Sequence, residues 1–155
     1  MGCCSIRQMD DDNTLTIAGQ YDQIQAACQF VAQAVKESGL DEQAVFHIEL
    51  CCDEACTNII EHGYGGEGQG NITLSYRVEN RSFVVVIRDY GRSFRPDSIM
   101  PPQSVSAKNP KEAAKNLQIG GLGLHFMREL MDDIQFVFDK EKGNKLIMSK
   151  KIETA

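Results

Sequence analysis

Three polar side chains recur at four-residue intervals in the stretch ELCCDEACTNIIEHGY, which spans residues 49–64: Glu54, Asn58 and His62. Residues four apart lie on the same side of an α-helix, so these three are predicted to form one stripe. A second, apolar stripe runs beside it and is suited to burial against a sheet. It consists of Ile48, Cys52, Ala55 and Ile59. The polar stripe would then line a cleft at the edge of the buried face, where such groups suit metal and phosphate binding. The alternative is an ordinary amphipathic helix with a polar shoulder.

Two further stretches have residue types that suit nucleotide chemistry. Asp89 follows an apolar run and is followed two residues later by Gly91. It is either a turn former or a buried carboxylate that accepts a hydrogen bond from an amino group, with Gly91 allowing close approach. The segment Gly120-Gly121-Leu122-Gly123 opens a predicted helix, where backbone N–H groups bind phosphate well, although glycines there also serve tight packing. The chain contains neither a P-loop nor a dinucleotide-binding fingerprint.

The elements that must position these residues follow from hydrophobic periodicity and from turn residues. Residues 1–12 are expected to be a loose start. Helices are predicted at about Asp22–Ser38 before the cap Gly39, from the N-cap Asp41 to about His62, and from Leu124 to about Met131. Strands are predicted at Thr14–Ala18, Ile72–Glu79, Phe83–Arg88, Ile134–Asp139 and Lys145–Ile152. The proline-containing stretch 95–119 has little periodicity and is predicted to be a functional loop, a lid.

This order of elements predicts an α+β fold with one mostly antiparallel sheet and helices packed on one face. With 155 residues, the chain is expected to be one domain with a core at about 14–152. The net charge of −6 argues against general binding of nucleic acid or anionic membranes. It is compatible with ATP, because local amides and a metal ion hold phosphates. The chain has no transmembrane run and no signal segment, so the expected location is cytoplasmic.

The six cysteines at positions 3, 4, 28, 51, 52 and 56 form no CxxC pair. A metal site using Cys52, Cys56 and His47 is conceivable, but reduced cysteines that act as small apolar residues fit a cytosolic protein better. The opening MGCCSI is similar to a lipidation start, yet Ile6 stands where serine or threonine is needed. We therefore interpret this similarity as chance.

Taken together, Glu54…Asn58…His62, then Asp89-x-Gly91, then Gly121-x-Gly123 after a lid, resemble the nucleotide-binding signature of the gyrase, histidine-kinase and heat-shock chaperone ATPase superfamily. The segment EACTNIIEHGY and the short chain most closely resemble those of the bacterial anti-sigma-factor serine/threonine kinases. The resemblance covers about residues 20–152. It implies a histidine-kinase-like ATPase fold with a nucleotide pocket between helices and the lid loop 95–119.

The resemblance also implies roles for individual residues. Glu54 would be the general base, Asn58 the ligand of Mg²⁺, and Asp89 the carboxylate that recognises the adenine of ATP beside Gly91. The remaining residues implied to line the nucleotide site are His62, Phe94, Gly120, Gly121, Leu122, Gly123 and Leu124. Phosphoryl transfer requires positioning and charge neutralisation, which suits these roles.

Two departures from the pattern bear on activity. Ser93 stands where the family usually has another glycine, and Gln118 and Ile119 stand where some members have a basic residue. The first hypothesis is a partner-switching kinase that binds a sigma factor or another output protein, phosphorylates a small antagonist protein on serine, and is commonly a homodimer. The second is a nucleotide-binding module that sequesters a partner with little or no transfer. A detached histidine-kinase catalytic domain is disfavoured, because no dimerisation helix with a phosphoacceptor histidine precedes the domain.

Overall fold

Six antiparallel strands form one sheet among the residues that the computed structural model describes, which are 8–11, 13–92 and 127–152. In chain order they are β1 (Gln8–Asp11), β2 (Thr14–Ala18), β3 (Asn71–Glu79), β4 (Ser82–Asp89), β5 (Asp133–Asp139) and β6 (Gly143–Lys151). Their order across the sheet is β1-β2-β3-β4-β6-β5. The continuously apolar run in β4 is explained by its central place, since β4 pairs with both β3 and β6.

Two 17-residue helices, α1 (Tyr21–Glu37) and α2 (Glu42–Asn58), pack on one face of this sheet. The predicted signals at their ends are present. Gly39 has a φ of +89° just after α1, and Asp41 caps α2 by accepting a hydrogen bond from the Ala44 amide at 2.9 Å. A further helical segment covers residues 127–130. In the described part of the chain, we find no helix that is both long and apolar enough to cross a membrane.

The core lies between the helices and the sheet. The apolar stripe predicted on α2 is buried there, with Ile48 and Cys52 fully inaccessible. Four free cysteines also lie in this layer: Cys28, Cys51, Cys52 and Cys56. Burial raises the pKa of the Cys28 and Cys51 thiols to about 12, so these groups stay protonated and behave as apolar side chains, in agreement with the sequence interpretation.

The structure differs from the sequence prediction at the first strand and at the end of α2. Residues 8–11, expected to belong to a loose start, form the edge strand β1, which pairs through its backbone with β2. The long helix predicted to run to His62 is α-helical only to Asn58 and continues as a π-helical turn, Ile59–Gly63. The predicted lid and the glycine-rich segment 120–123 lie outside the described residues.

Candidate functional site

Glu54 and Asn58 lie one turn apart near the C-terminal end of α2, about 6 Å apart along the helix axis. Asn58 is buried, with only 5% of its surface exposed, and Glu54 is half-buried. Burial raises the pKa of the Glu54 carboxyl, and the nearby charges of Asp53 and Glu61 raise it further. The end of α2 therefore presents a strengthened base and a side-chain amide on one side of the helix.

The π turn determines where α2 ends. Its widened hydrogen bond runs from the Tyr64 amide to the Ile59 carbonyl at 2.8 Å, and the Gly66 amide, six residues after Ile60, donates to the Ile60 carbonyl at 2.8 Å. Turns of this type are rare and occur frequently at functional sites. Glu54 and Asn58 both lie within the α-helical part and so share one side of α2. His62 lies in the π turn, and its place in the predicted stripe stays a prediction. The Nε2 atom of the His62 imidazole lies 3.9 Å from the Glu61 carboxylate.

Asp89 ends the central strand β4 and is 4% exposed. Its Oδ1 atom accepts hydrogen bonds from the Gly91 amide at 2.9 Å and from the Asn144 side-chain amide at 3.2 Å. Burial raises the pKa of the Asp89 carboxyl, and these two hydrogen bonds oppose that shift by stabilising the charged form. Both bonds end on Oδ1, so within the described residues Oδ2 is the oxygen with acceptor capacity left for a ligand.

A close backbone contact brings the helix end and the Asp89 turn together. The Arg92 amide donates to the Gly63 carbonyl at 2.7 Å. A Cβ built on Gly91 would lie 2.6 Å from the Gly63 carbonyl carbon, whereas one built on Gly63 would lie 3.5 Å from Asp89 Oδ1. Gly91 is thus required for close approach to the backbone of Gly63, whereas the predicted close approach of an adenine base to Gly91 stays a prediction.

Tyr64 connects three segments around this contact. Its hydroxyl donates to the Asn71 carbonyl at 2.5 Å and accepts from the Tyr90 amide at 3.0 Å, so it ties the π turn to the start of β3 and to the end of β4. Its ring occupies the space where a Cβ on Gly70 would lie, with Cε1 as the nearest atom. Sequence reasoning assigned Tyr64 no role, because only the folded chain brings these segments to one tyrosine.

Asn144 is the second contributor that sequence reasoning missed. It lies directly opposite Asp89 in the β4–β6 register and is 6% exposed. The sequence interpretation placed it in the turn Lys140–Asn144, whereas β6 begins at Gly143. The turn is shorter than predicted. It begins at Asp139, whose Oδ1 accepts hydrogen bonds from the amides of Glu141 and Lys142, and it ends at Gly143, which has a φ of +88°. Aspartate and glycine are typical turn residues, so these two positions were the signal in the sequence for the shorter turn.

The other predicted site residues, Phe94 and residues 120–124, lie outside the described residues. Two cavities lined by described residues are elsewhere: one of about 550 Å³ between α1 and α2, and one of about 400 Å³ beside the start of α2. Neither is lined by Glu54, Asn58 or Asp89. Within the described ranges, His, Cys, Asp and Glu side chains form no group of three that could hold a metal ion.

The arrangement suits a ligand that carries both an amine and phosphates. The buried carboxylate at Asp89 can accept a hydrogen bond from an amine, and burial makes such a bond selective because an unpaired group there is costly. The amide oxygen at Asn58 is a ligand type that Mg²⁺ accepts together with phosphate oxygens and water. Glu54 lies one turn away on the same helix and can hold a proton.

Comparisons with known proteins are consistent with this geometry. The family model described as the histidine kinase-like ATPase domain matches residues 17–150. The serine-protein kinase RsbW of Listeria innocua is 28% identical over 144 residues, which cover 93% of this chain and 89% of that protein. RsbW of Bacillus subtilis is 31% identical over 88 residues, or 57% of this chain and 54% of that protein.

One solved structure shares the fold. It is the histidine kinase domain from the Erythrobacter litoralis EL346 blue-light activated histidine kinase, with a TM-score of 0.50 and 17% identity. The match covers 88% of this chain and 62% of that one, so this chain spans about three fifths of that structure. At this identity the likeness concerns the arrangement of helices and strands.

Proposed function

Because this chain belongs to the histidine kinase-like ATPase domain family, we propose that it binds ATP and transfers the γ-phosphate to a serine or threonine of another protein. The predicted superfamily and its α+β fold are confirmed by the family model and by the shared fold. The Listeria innocua relative named serine-protein kinase, similar over 89% of its length, supports the choice of protein as the phosphate acceptor.

The observation that carries the proposal is the contact between the π turn that follows α2 and the Asp89 turn. The hydrogen bond from Arg92 to Gly63 and the contact of Gly91 with Gly63 join the two segments. These contacts support the proposal that Asp89, which would recognise the adenine, and the end of α2, which would lie beside the phosphates, belong to one site. A nucleotide has its base and phosphates at opposite ends, so a site of this kind suits it.

Three residues of the chain would each have a separate role in binding ATP and transferring its phosphate. Asp89 Oδ2 would accept a hydrogen bond from the adenine amine, and Asn58 would hold Mg²⁺, which neutralises charge on the phosphate oxygens. Glu54 would take the proton from the acceptor hydroxyl. Its raised pKa makes its carboxylate a stronger base than an exposed glutamate. We further propose that Phe94, His62 and residues 120–124, beneath the lid 95–119, complete the nucleotide site.

The finer proposal concerns the circuit. The resemblance of EACTNIIEHGY to bacterial anti-sigma-factor kinases supports a cytoplasmic, homodimeric anti-sigma factor. In this proposal the protein binds a sigma factor or another output protein and phosphorylates a small antagonist protein on serine. Phosphorylation of the antagonist then resets the switch.

A second candidate function is a nucleotide-binding module that sequesters its partner with little or no transfer. The residues that favour it are Ser93, which replaces a usual glycine, and Gln118 and Ile119, which replace a basic residue that reaches the γ-phosphate in some members. This candidate requires the same ATP site but not the base at Glu54.

A kinase assay separates the two candidates. The protein is incubated with radiolabelled ATP, Mg²⁺ and the antagonist protein encoded nearby, and phosphoserine is measured together with ATP affinity. We expect labelling by the wild type, and loss of labelling at unchanged affinity in Glu54→Gln. Glu49→Gln, five residues earlier on the same helix, is the matched control and should label normally. A wild type that binds ATP but labels nothing would favour sequestration.

A further inference from the structure

Asn144 is a buried polar side chain whose hydrogen bonds are directed to the Asp89 turn. Its amide nitrogen donates to Asp89 Oδ1 at 3.2 Å and to the Gly91 carbonyl at 3.0 Å. A buried amide is retained at little cost only when it is hydrogen-bonded, and these two bonds meet that requirement. The side chain therefore connects the second residue of β6 to both ends of the turn that follows β4.

The chemistry of the two acceptors fixes the orientation of this amide. A carboxylate oxygen and a backbone carbonyl can only accept, so the NH₂ group must face them; the flipped amide would place its carbonyl oxygen against both. One NH₂ group has two protons and can satisfy both acceptors at once. A hydroxyl at this position has only one proton and could satisfy only one of them.

The consequence concerns Asp89. Its Oδ1 receives two donors, the Gly91 amide and Asn144, from different directions. Rotation of the carboxylate about its Cβ–Cγ bond would break both bonds, so the carboxylate is held in one orientation and Oδ2 is kept as the acceptor for a ligand. Without Asn144, the Gly91 amide alone would hold Oδ1, and the carboxylate could turn within the cleft.

We infer that Asn144 is a positioning residue that sets base specificity by holding Asp89 in the orientation that selects a purine with an exocyclic amine. This inference rests on the proposed ATP site. Adenine presents an amine where hypoxanthine presents a carbonyl oxygen. A fixed carboxylate accepts from the amine but opposes the carbonyl oxygen, and a carboxylate that can turn away loses that discrimination.

The test compares ATP with inosine triphosphate, whose base has a carbonyl oxygen and an N1–H where adenine has the amine and an unprotonated N1. Dissociation constants for both nucleotides are measured by calorimetry with Mg²⁺ for the wild type, Asn144→Leu and Asn144→Thr. Leucine has a similar volume and no amide, and threonine has one donor and suits a strand. We expect the wild type to prefer ATP, and the preference to fall about tenfold in Asn144→Leu, with an intermediate fall in Asn144→Thr. The loss should come from weaker ATP binding, with little change for inosine triphosphate.

Thr73→Val is the matched control. It removes a half-buried hydrogen bond of 3.0 Å between Thr16 and Thr73, two strands from β6, and should lower the melting temperature while keeping the nucleotide preference. If the wild type prefers ATP and both Asn144 variants keep that preference, even with weaker binding of both nucleotides, Asn144 is only structural and the inference is overturned. If the wild type binds neither nucleotide, the proposed function fails and the inference fails with it. Should Asn144→Leu not fold, the preference of Asn144→Thr alone decides between these results.

Discussion

The contact between Gly91 and Gly63 gives a prediction whose size follows from the structure. In Gly91→Ala, the new Cβ would lie 2.6 Å from the Gly63 carbonyl carbon and 2.7 Å from its oxygen. Ordinary contacts begin near about 3.5 Å, so the two backbones must separate by roughly 1 Å. The hydrogen bond from the Arg92 amide to that carbonyl, now 2.7 Å, would then be stretched until it is lost.

The expected cost combines these two effects. Overpacking costs about 1–3 kcal/mol and a lost backbone hydrogen bond about 1 kcal/mol, so we expect Gly91→Ala to lower the free energy of unfolding by about 2–4 kcal/mol. For a chain of this size that corresponds to a melting temperature lower by roughly 5–15 °C. Gly91 does not have a positive φ, so backbone strain adds nothing.

Gly63→Ala is the matched control. Its Cβ would make ordinary contacts, the closest being Asp89 Oδ1 at 3.5 Å, and Gly63 has no positive φ. We expect a change within about 1 kcal/mol. Urea unfolding followed by circular dichroism, with thermal melts, measures both variants. Equal stability of the two, or a larger loss in Gly63→Ala, would mean that the helix end and the Asp89 turn do not abut as described.

Two further predictions concern the proposed ligand side chains. Asn58→Ala should abolish most of the gain in nucleotide affinity that Mg²⁺ gives, because the amide oxygen is the proposed metal ligand; calorimetry with and without Mg²⁺ measures this, and an unchanged gain would remove Asn58 from the site. Asp89→Asn should bind ATP more weakly yet be at least as stable as the wild type at pH 7. Burial raises the pKa of the Asp89 carboxyl from 3.8, so the native state binds the proton more tightly than the unfolded state does. The stability of the wild type relative to the variant should therefore fall as the pH rises from about 4 through the native pKa. Urea midpoints of both proteins between pH 4 and pH 8 test this sign; a wild type that gains relative stability as the pH rises would contradict it.

Most of the helices and strands could be predicted because burial on one face leaves a period in the sequence. The run Thr14–Ala18 alternates because only one side of β2 meets the core, and α2 has its apolar stripe for the same reason. β1 has no such pattern, since a short edge strand forms through its backbone. The π turn could not be predicted from local spacing. It lies where Gly63 contacts Gly91, a residue distant in the chain, and local spacing carries no information on such a contact.

The candidate site was predictable in part. The residue types of Glu54, Asn58 and Asp89 are visible in the sequence, and the resemblance gave them roles. Their relation in space was not visible, because it depends on a hydrogen bond between Arg92 and Gly63 that links segments far apart in the chain. Asn144 was missed because its position opposite Asp89 depends on the length of one turn.

The turn between β3 and β4 is a suitable site for attaching a label to this protein. Asn80 and Arg81 both have positive φ values, 52° and 60°, which form the tight two-residue connection that suits twisted strands. Their side chains are exposed, and the hairpin ends there at the pair Glu79–Ser82 while its other end is at the pair Ile72–Asp89. Seven residue-to-residue steps along each strand separate the two ends, which is about 23 Å. A peptide tag or a fluorophore attached at this tip would therefore report on binding or assembly from a distance, without touching the groups proposed to hold the nucleotide.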